Sequence, residues 1–370
     1  MRFADTVLVL AAARWVQASV KSTTIKEGVY YKGFYWNDVP AMRREISRRS
    51  SGDENVDWLP FLVKQWRQGR PFERVLSLSC GDGSIERWLF TEGGLKGTLL
   101  ALDFLPELLK KARREARRIH MNNVTYMQHD INLDALPAGP FDLVLVHAGA
   151  HHWGRIDRVM RHIASVLPPD GLFVMKEFVG PHRNQYPSQM WQAALRANEI
   201  LPAKFRNDMH YPHLPTMLAT DPSEAQHSEL IMPTLRRYFY VSLYKPLCGA
   251  LAYPVLTHNS RLCAYYRSLV SKRSKPGNET APASDPEHAS IERAVSQLMA
   301  ADWEYCQEDP EGRSLFAFVI AQPLRGGVPS PKYAHILEDS EATLERAGTR
   351  STYYTFTEPA KQEYSFKRAR

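Results

Sequence analysis

RVLSLSCGDGSIERWL, residues 74–89, is the stretch on which the fold turns. It begins as an apolar run, passes through Gly81 and Gly83, and ends in a pattern that opens a helix. A buried strand, a tight glycine turn and a helix start form the ligand-facing unit of an open parallel sheet, because ligands bind at the carboxyl ends of such strands. Gly81 and Gly83 permit backbone conformations and close ligand approach that a Cβ would forbid. Two positions stand out. Ser77 lies where such strands often end in an acid, and Ser79 lies where a first glycine is usual.

Working outward, residues 74–180 alternate strand and helix. Strands are expected at 74–79, 98–103, 124–129, 141–147 and 172–178, with helices at 84–91, 106–119 and 155–167. Near-continuous apolar strands separated by helices predict a mostly parallel sheet covered on both faces. The fold class is therefore α/β. Residues 1–70 read as a helical lid, with Asp38 as N-cap before Pro40 in YWNDVPAMRREI and a short helix in VDWLPFLVKQW. Residues 181–300 lose the rhythm and read as an insertion shaping a substrate pocket, with a core strand near 240 and helices at 260–270 and 291–300. SKRSKPGNETAPASDPEHAS within it reads as an exposed loop. Residues 301–324 carry the last core strand, in SLFAFVIAQP, and 325–370 form a polar tail.

The chain has 370 residues, 44% hydrophobic content and a formal charge of +7. A mild basic excess suits anionic partners without selecting one. Four cysteines without CxxC spacing argue against a disulfide framework or a zinc site and fit a reducing, cytoplasmic setting. The N-terminal apolar run faintly imitates a secretory signal. Asp5 and Arg14 interrupt that pattern, and Val7, Leu10, Ala11 and Val16 suggest an amphipathic helix instead. No stretch is long enough to span a membrane, and nothing in the sequence fixes an oligomeric state.

The ligand is narrowed by what the loop lacks. A dinucleotide fingerprint needs a third glycine, where Glu86 stands. There is no G-x-x-x-x-G-K-[ST], so an ATP-type phosphate loop is unsupported. Acids without lysine suit a cationic or zwitterionic ligand. Asp103 ends the second strand, placed for ribose hydroxyls. Asp130 follows the third strand, placed for an exocyclic amine. Phe104 and Ile131 follow these acids and would sandwich a base.

At these residues the chain resembles the class I S-adenosylmethionine-dependent methyltransferases. Their motif E/D-x-G-x-G-x-G here reads Ser77-Leu78-Ser79-Cys80-Gly81-Asp82-Gly83, a spelling similar to a bacterial subgroup with serine at the first position. Asp103, Asp130-Ile131, FDLVLVHAGAHHW and LPPDGLFVMKEFVG match the family's later motif regions in order. KEFVGPHRNQY and DPSEAQHSE also look like that subgroup, whose relatives modify small metabolites or glycan-related molecules. The resemblance implies a Rossmann-like seven-stranded sheet with S-adenosylmethionine held by Ser79, Cys80, Gly81, Gly83, Asp103, Phe104, Asp130, Ile131 and His147. Glu86 or a lid residue would supply the charge missing at Ser77.

For the chemistry, a methyl on a sulfonium needs alignment, exclusion of water and, for a hydroxyl or protonated amine, a base. His147, His151 and His152 lie after the fourth strand, beside the expected methyl position. His151 or a neighbour would serve as base, with His152, Glu177 and His182 as the other catalytic candidates. Glu177 is equally suited to bonding backbone amides. No carboxylate pattern accompanies the histidines, so no metal is expected. Tyr31, Trp36 and Arg183 are candidates for substrate contact, Arg183 through its planar fork. The expected function is methyl transfer to an oxygen or nitrogen of a small polar metabolite. An RNA methyltransferase remains open through the basic helix PELLKKARREARRI, as does a non-catalytic scaffold with a relic fold.

Overall fold

The computed structural model describes residues 34–273, 285–327 and 329–333. Arg74–Leu78 (β1), Thr98–Asp103 (β2), Val124–Gln128 (β3), Leu143–His147 (β4), Leu172–Phe178 (β5), Phe239–Cys248 (β6) and Phe316–Pro323 (β7) form one sheet. Their order is β3-β2-β1-β4-β5-β7-β6. The first five strands are mutually parallel. β7 runs antiparallel to both β5 and β6. This is the expected α/β, Rossmann-like architecture, and the strand expected near 240 is β6.

The chain order reverses at β1, where β2 and β4 lie on opposite sides. The connections that follow β1 and β4 therefore lead to opposite sides of this switch point, the place where an open sheet binds ligands.

Helices cover the sheet because alternate strand residues point to opposite faces. Val75, Leu99, Leu143, Leu145 and Val174 pack on one face with Met42, Leu62 and Phe318. Leu76, Leu78, Val144, Val146, Phe173 and Met175 pack on the other. Ile156–Val166 buries Ile156, Val159, Met160, Ile163 and Val166. That spacing makes one apolar stripe, and each large side chain contributes about 1.5–3 kcal/mol by leaving water. In Pro106–Arg118 only Leu109, Ala112 and Ala116 are buried, so its arginines and lysines mostly form a solvated face.

Two expectations near the edges need correction. The helix Pro40–Ser51 has Val39, not Asp38, at its N-cap. Asp38 lies in the preceding turn Trp36–Asp38, where its Oδ2 accepts from the Tyr35 amide at 2.8 Å. The cysteines are not all free: Cys248 is bonded to Cys306, 58 positions away, while Cys80 and Cys263 remain thiols. Spacing rules read local pairs, whereas the end of β6 meets the end of the helix Pro286–Gln307 only through the tertiary fold.

That meeting point holds a buried ion pair. Arg49, from Pro40–Ser51, donates to Asp302 Oδ2 at 2.7 Å and to the Leu247 carbonyl at 2.9 Å. Asp302 also accepts from the amides of Gly249, Leu251 and Ala252. The segment read as a lid is in this way fastened to the sheet edge. Trp36 is buried there and stacks on Phe316 with ring centroids 5.0 Å apart. Tyr31 and the expected helix at Val7–Val16 lie outside the described residues.

Candidate functional site

The loop after β1 is built by carboxylates. Asp103, at the end of β2, accepts from the Gly81 amide through Oδ2 and from the Leu105 amide through Oδ1, both at 2.8 Å. Each oxygen keeps a lone pair for a further donor. Burial raises the Asp103 pKa above its ordinary value, partly offset by these amides. Ser79, Gly81 and Gly83 all have positive φ, at 52°, 56° and 78°. A Cβ on Gly81 would meet nothing within 4 Å, whereas one on Gly83 would sit 2.6 Å from the Tyr126 hydroxyl. Gly81 thus faces open space, and Gly83 is required by packing beneath the loop. Burial, then the Glu86 and Asp103 carboxyls, push the pKa of the Cys80 thiol far up.

The acid absent from position 77 arrives from the next helix. Ser77 Oγ donates to Glu86 Oε1, and Glu86 is fully buried. Burial raises its pKa from 4.5 to about 7. A folded chain that holds this proton more tightly than the unfolded chain gains stability. The gain is complete below pH 4.5 and is lost as pH rises to about 7. The stability difference between wild type and Glu86→Gln should therefore shift against wild type between pH 5 and 7, measured by urea unfolding. A pH-independent difference would remove Glu86 as the titrating group.

Ser79 joins this loop to the one after β4. Trp153 Nε1 donates to Ser79 Oγ at 3.2 Å. A Cβ on Gly149 would lie 2.4 Å from Ser79 Cβ, so only glycine lets the two loops touch. The turn Ala150–His152 follows at once. His147, at the end of β4, stacks on Trp58 at 5.5 Å. Its pKa falls to about 4 through burial and the neighbouring Lys176 charge.

His151 and His152 stand over the end of β5. Glu177 Oε2 accepts from the Gly149 and Ala150 amides at 2.8 and 2.6 Å, and Oε1 from Phe178 at 2.7 Å. Its Oε1 also meets His151 Nδ1 at 2.5 Å. Glu177 bonds backbone amides, the second of its two expected roles, and in addition meets a histidine ring. Burial disfavours a charged His151, but the Glu177 and Glu224 carboxylates outweigh it and hold its pKa up at about 9. His152 is pushed the other way, by burial and by His151.

Glu224, Asp221 and Ser223 complete the cluster, and sequence reading missed all three as site residues. The only signal was DPSEAQHSE, noted for resemblance alone. Glu224 Oε2 lies 3.8 Å from His151 Nε2 and 3.7 Å from His152 Nε2. The loop is fixed from several sides. Arg183 donates to the carbonyls of Pro222 and Glu224, and the Gln226 amide donates to the His151 carbonyl at 3.2 Å. Arg183 thus braces the loop that carries Glu224, and His182 stands outside the cluster, paired with Glu229 at 2.9 Å.

On the far side of the switch point, Phe104 is 37% exposed. Asp130 Oδ1 accepts from the Asn132 amide at 2.9 Å. Ile131 packs partly buried against the sheet. No helix among the described residues is long and apolar enough to cross a membrane.

Residues 71–237 match a family model described as a methyltransferase domain. A 2-phytyl-1,4-naphtoquinone methyltransferase of Nostoc is 24% identical over 149 residues, 38% of this chain and 65% of that protein. A ubiquinone/menaquinone biosynthesis C-methyltransferase of Shewanella is 29% identical over 113 residues, 30% of this chain and 45% of that one. The chain therefore spans less than two thirds of the length of these curated relatives. Among solved structures, phosphoethanolamine N-methyltransferase 2 of Haemonchus contortus in complex with S-adenosyl-L-methionine aligns at 13% identity. That alignment covers 78% of this chain and 57% of the other, with a TM-score of 0.43.

Proposed function

We propose that this chain, whose residues 71–237 match a methyltransferase-domain model, is a class I S-adenosylmethionine-dependent enzyme that methylates a small molecule bearing an ionisable hydroxyl. The acceptor binds over His151, His152 and Glu224. S-adenosylmethionine, when bound, supplies a methyl group already activated on a sulfonium. The observation that carries this reading is the junction of Ser79 with Gly149 and Trp153. It sets the histidine-bearing turn directly beside the cofactor loop.

The residues present suit an adenosyl group joined to a cation better than a pyrophosphate. Asp103 has lone pairs left for ribose hydroxyls, and Phe104 is exposed to flank a base. Gly81 leaves the loop open to close approach. Asp130, Ile131 and His147 line the same strand ends. Glu177 turns His151 so that Nε2 faces the acceptor, and Arg183 keeps Glu224 in place. An aromatic hydroxyl of the kind found in reduced quinones is one such acceptor, in keeping with the relatives' names. Ionising it loads charge on both its oxygen and its ring carbons, so placement over the cluster decides the atom methylated.

The test is a thermal-shift and calorimetric titration with S-adenosylmethionine and S-adenosylhomocysteine. At about 100 times Kd, binding to the folded state alone adds about 2.7 kcal/mol, read as a rise of several degrees in Tm. No rise with either compound would overturn the reading.

A further inference from the structure

We propose that His151 Nε2, His152 Nε2 and Glu224 Oε2 form a three-ligand site for a divalent cation of the zinc class. The site rests on the reading that the acceptor binds at this cluster. Three ligand atoms lie within 4.8 Å of one another, from residues buried or half-buried. The two imidazole nitrogens are 3.8 and 3.7 Å from one carboxylate oxygen. Those separations are too long for hydrogen bonds. They sit near the edge length of about 3.4 Å expected for a tetrahedron with bonds of about 2.1 Å.

The outer nitrogens explain why this is a ligand set and not a chance gathering. Ser223 Oγ donates to Asp221 Oδ1 at 2.6 Å, so toward His152 Nδ1, 3.0 Å away, it is left to accept. The proton of neutral His152 is then on Nδ1, and the lone pair is on Nε2. Glu177 accepts from His151 Nδ1 at 2.5 Å and fixes that ring, so that Nε2 becomes a ligand on giving up its own proton. Both Nε2 atoms are thereby aimed at Glu224 as potential ligands. Histidine ligands commonly give their second nitrogen to a carboxylate or hydroxyl in this manner, which fixes the ring and its tautomer.

Charge and rigidity point the same way. Glu177, Asp221 and Glu224 surround the two imidazoles, leaving negative charge for a dication to balance. Arg183 and the Gln226 amide hold the Glu224 loop, so little rearrangement is needed to bind. Two imidazoles and one carboxylate, with no thiolate, suit Zn²⁺ or its divalent neighbours rather than Mg²⁺ or Ca²⁺. Three protein ligands leave a fourth position open, as in catalytic sites. An acceptor hydroxyl bound there would release its proton to water and remain as an anionic oxygen on the cation.

The experiment is calorimetry of the chelator-treated full chain with Zn²⁺, in parallel with its S-adenosylmethionine thermal shift. One Zn²⁺ per chain is expected, at micromolar Kd or tighter and unaffected by millimolar Mg²⁺. Glu224→Gln and His152→Ala should each weaken it at least 100-fold. Ser223→Ala, which only frees the His152 ring, should cost about tenfold. Unchanged cofactor shifts in these variants would show that they remain folded. Wild type binding Zn²⁺ no tighter than the double variant Glu224→Gln/His152→Ala would overturn the site, with the methyltransferase reading left standing if the cofactor shift persists. Zn²⁺ binding without any cofactor shift would overturn that reading instead.

Discussion

Asp103→Ala should lower affinity for S-adenosylmethionine by at least 100-fold, measured by calorimetry. Each carboxylate oxygen already accepts one backbone amide at 2.8 Å, and each retains capacity for a ribose hydroxyl. A hydrogen bond to a charged acceptor is worth about 1.5–3 kcal/mol, so losing two costs roughly 10²–10⁴ in affinity. The substitution also releases the Gly81 and Leu105 amides, loosening the loop that meets the ligand. Asp103→Asn keeps one acceptor and should fall between wild type and alanine. Unchanged affinity in the alanine variant would remove Asp103 from the site.

Asp302→Ala should destabilise the chain by about 3–5 kcal/mol, as removing one partner of a buried ion pair does. The Arg49 side chain is 1% exposed and would be left with Glu45, 2.8 Å from its Nε, as its one remaining acid among the described residues. Three amides, from Gly249, Leu251 and Ala252, would lose their acceptor together. Urea unfolding measures the loss. Combining Arg49→Leu with Asp302→Leu should recover part of it, because the buried guanidinium is then gone and Glu45 still has Arg48 as its partner. A cost below 1 kcal/mol for Asp302→Ala would mean that Glu45 or water suffices to hold the Arg49 charge.

Chemistry carried by neighbours in sequence was legible, and chemistry assembled across the fold was not. The apolar runs at 98–103 and 172–178 gave β2 and β5 with their observed bounds. The strand expected near 240 runs over Phe239–Cys248, a length that Pro246 hides because proline interrupts strand patterns. The helix read at 291–300 extends over Pro286–Gln307, since Asp285 caps it from inside a stretch that composition marks as loop. At the candidate site, His151 and His152 follow β4 and Glu177 lies near the end of β5, so each falls where the sequence pattern directs attention. Glu224 comes from a loop 72 positions beyond His152, and no periodicity links them. At Ser77 the sequence offers Glu86 or a lid residue as the source of the missing charge, and the structure supplies Glu86. The Ser77 hydroxyl is answered by Glu86 in the first turn of the following helix.

The bond between Cys248 and Cys306 gives the chain a mechanical property. It closes a ring spanning 58 positions of sequence. Stretched from its ends, the oxidised protein would pass force across the bond and withhold that segment. At about 3.5 Å per residue, the hidden contour is roughly 200 Å. Reduction would return that length to the extension curve.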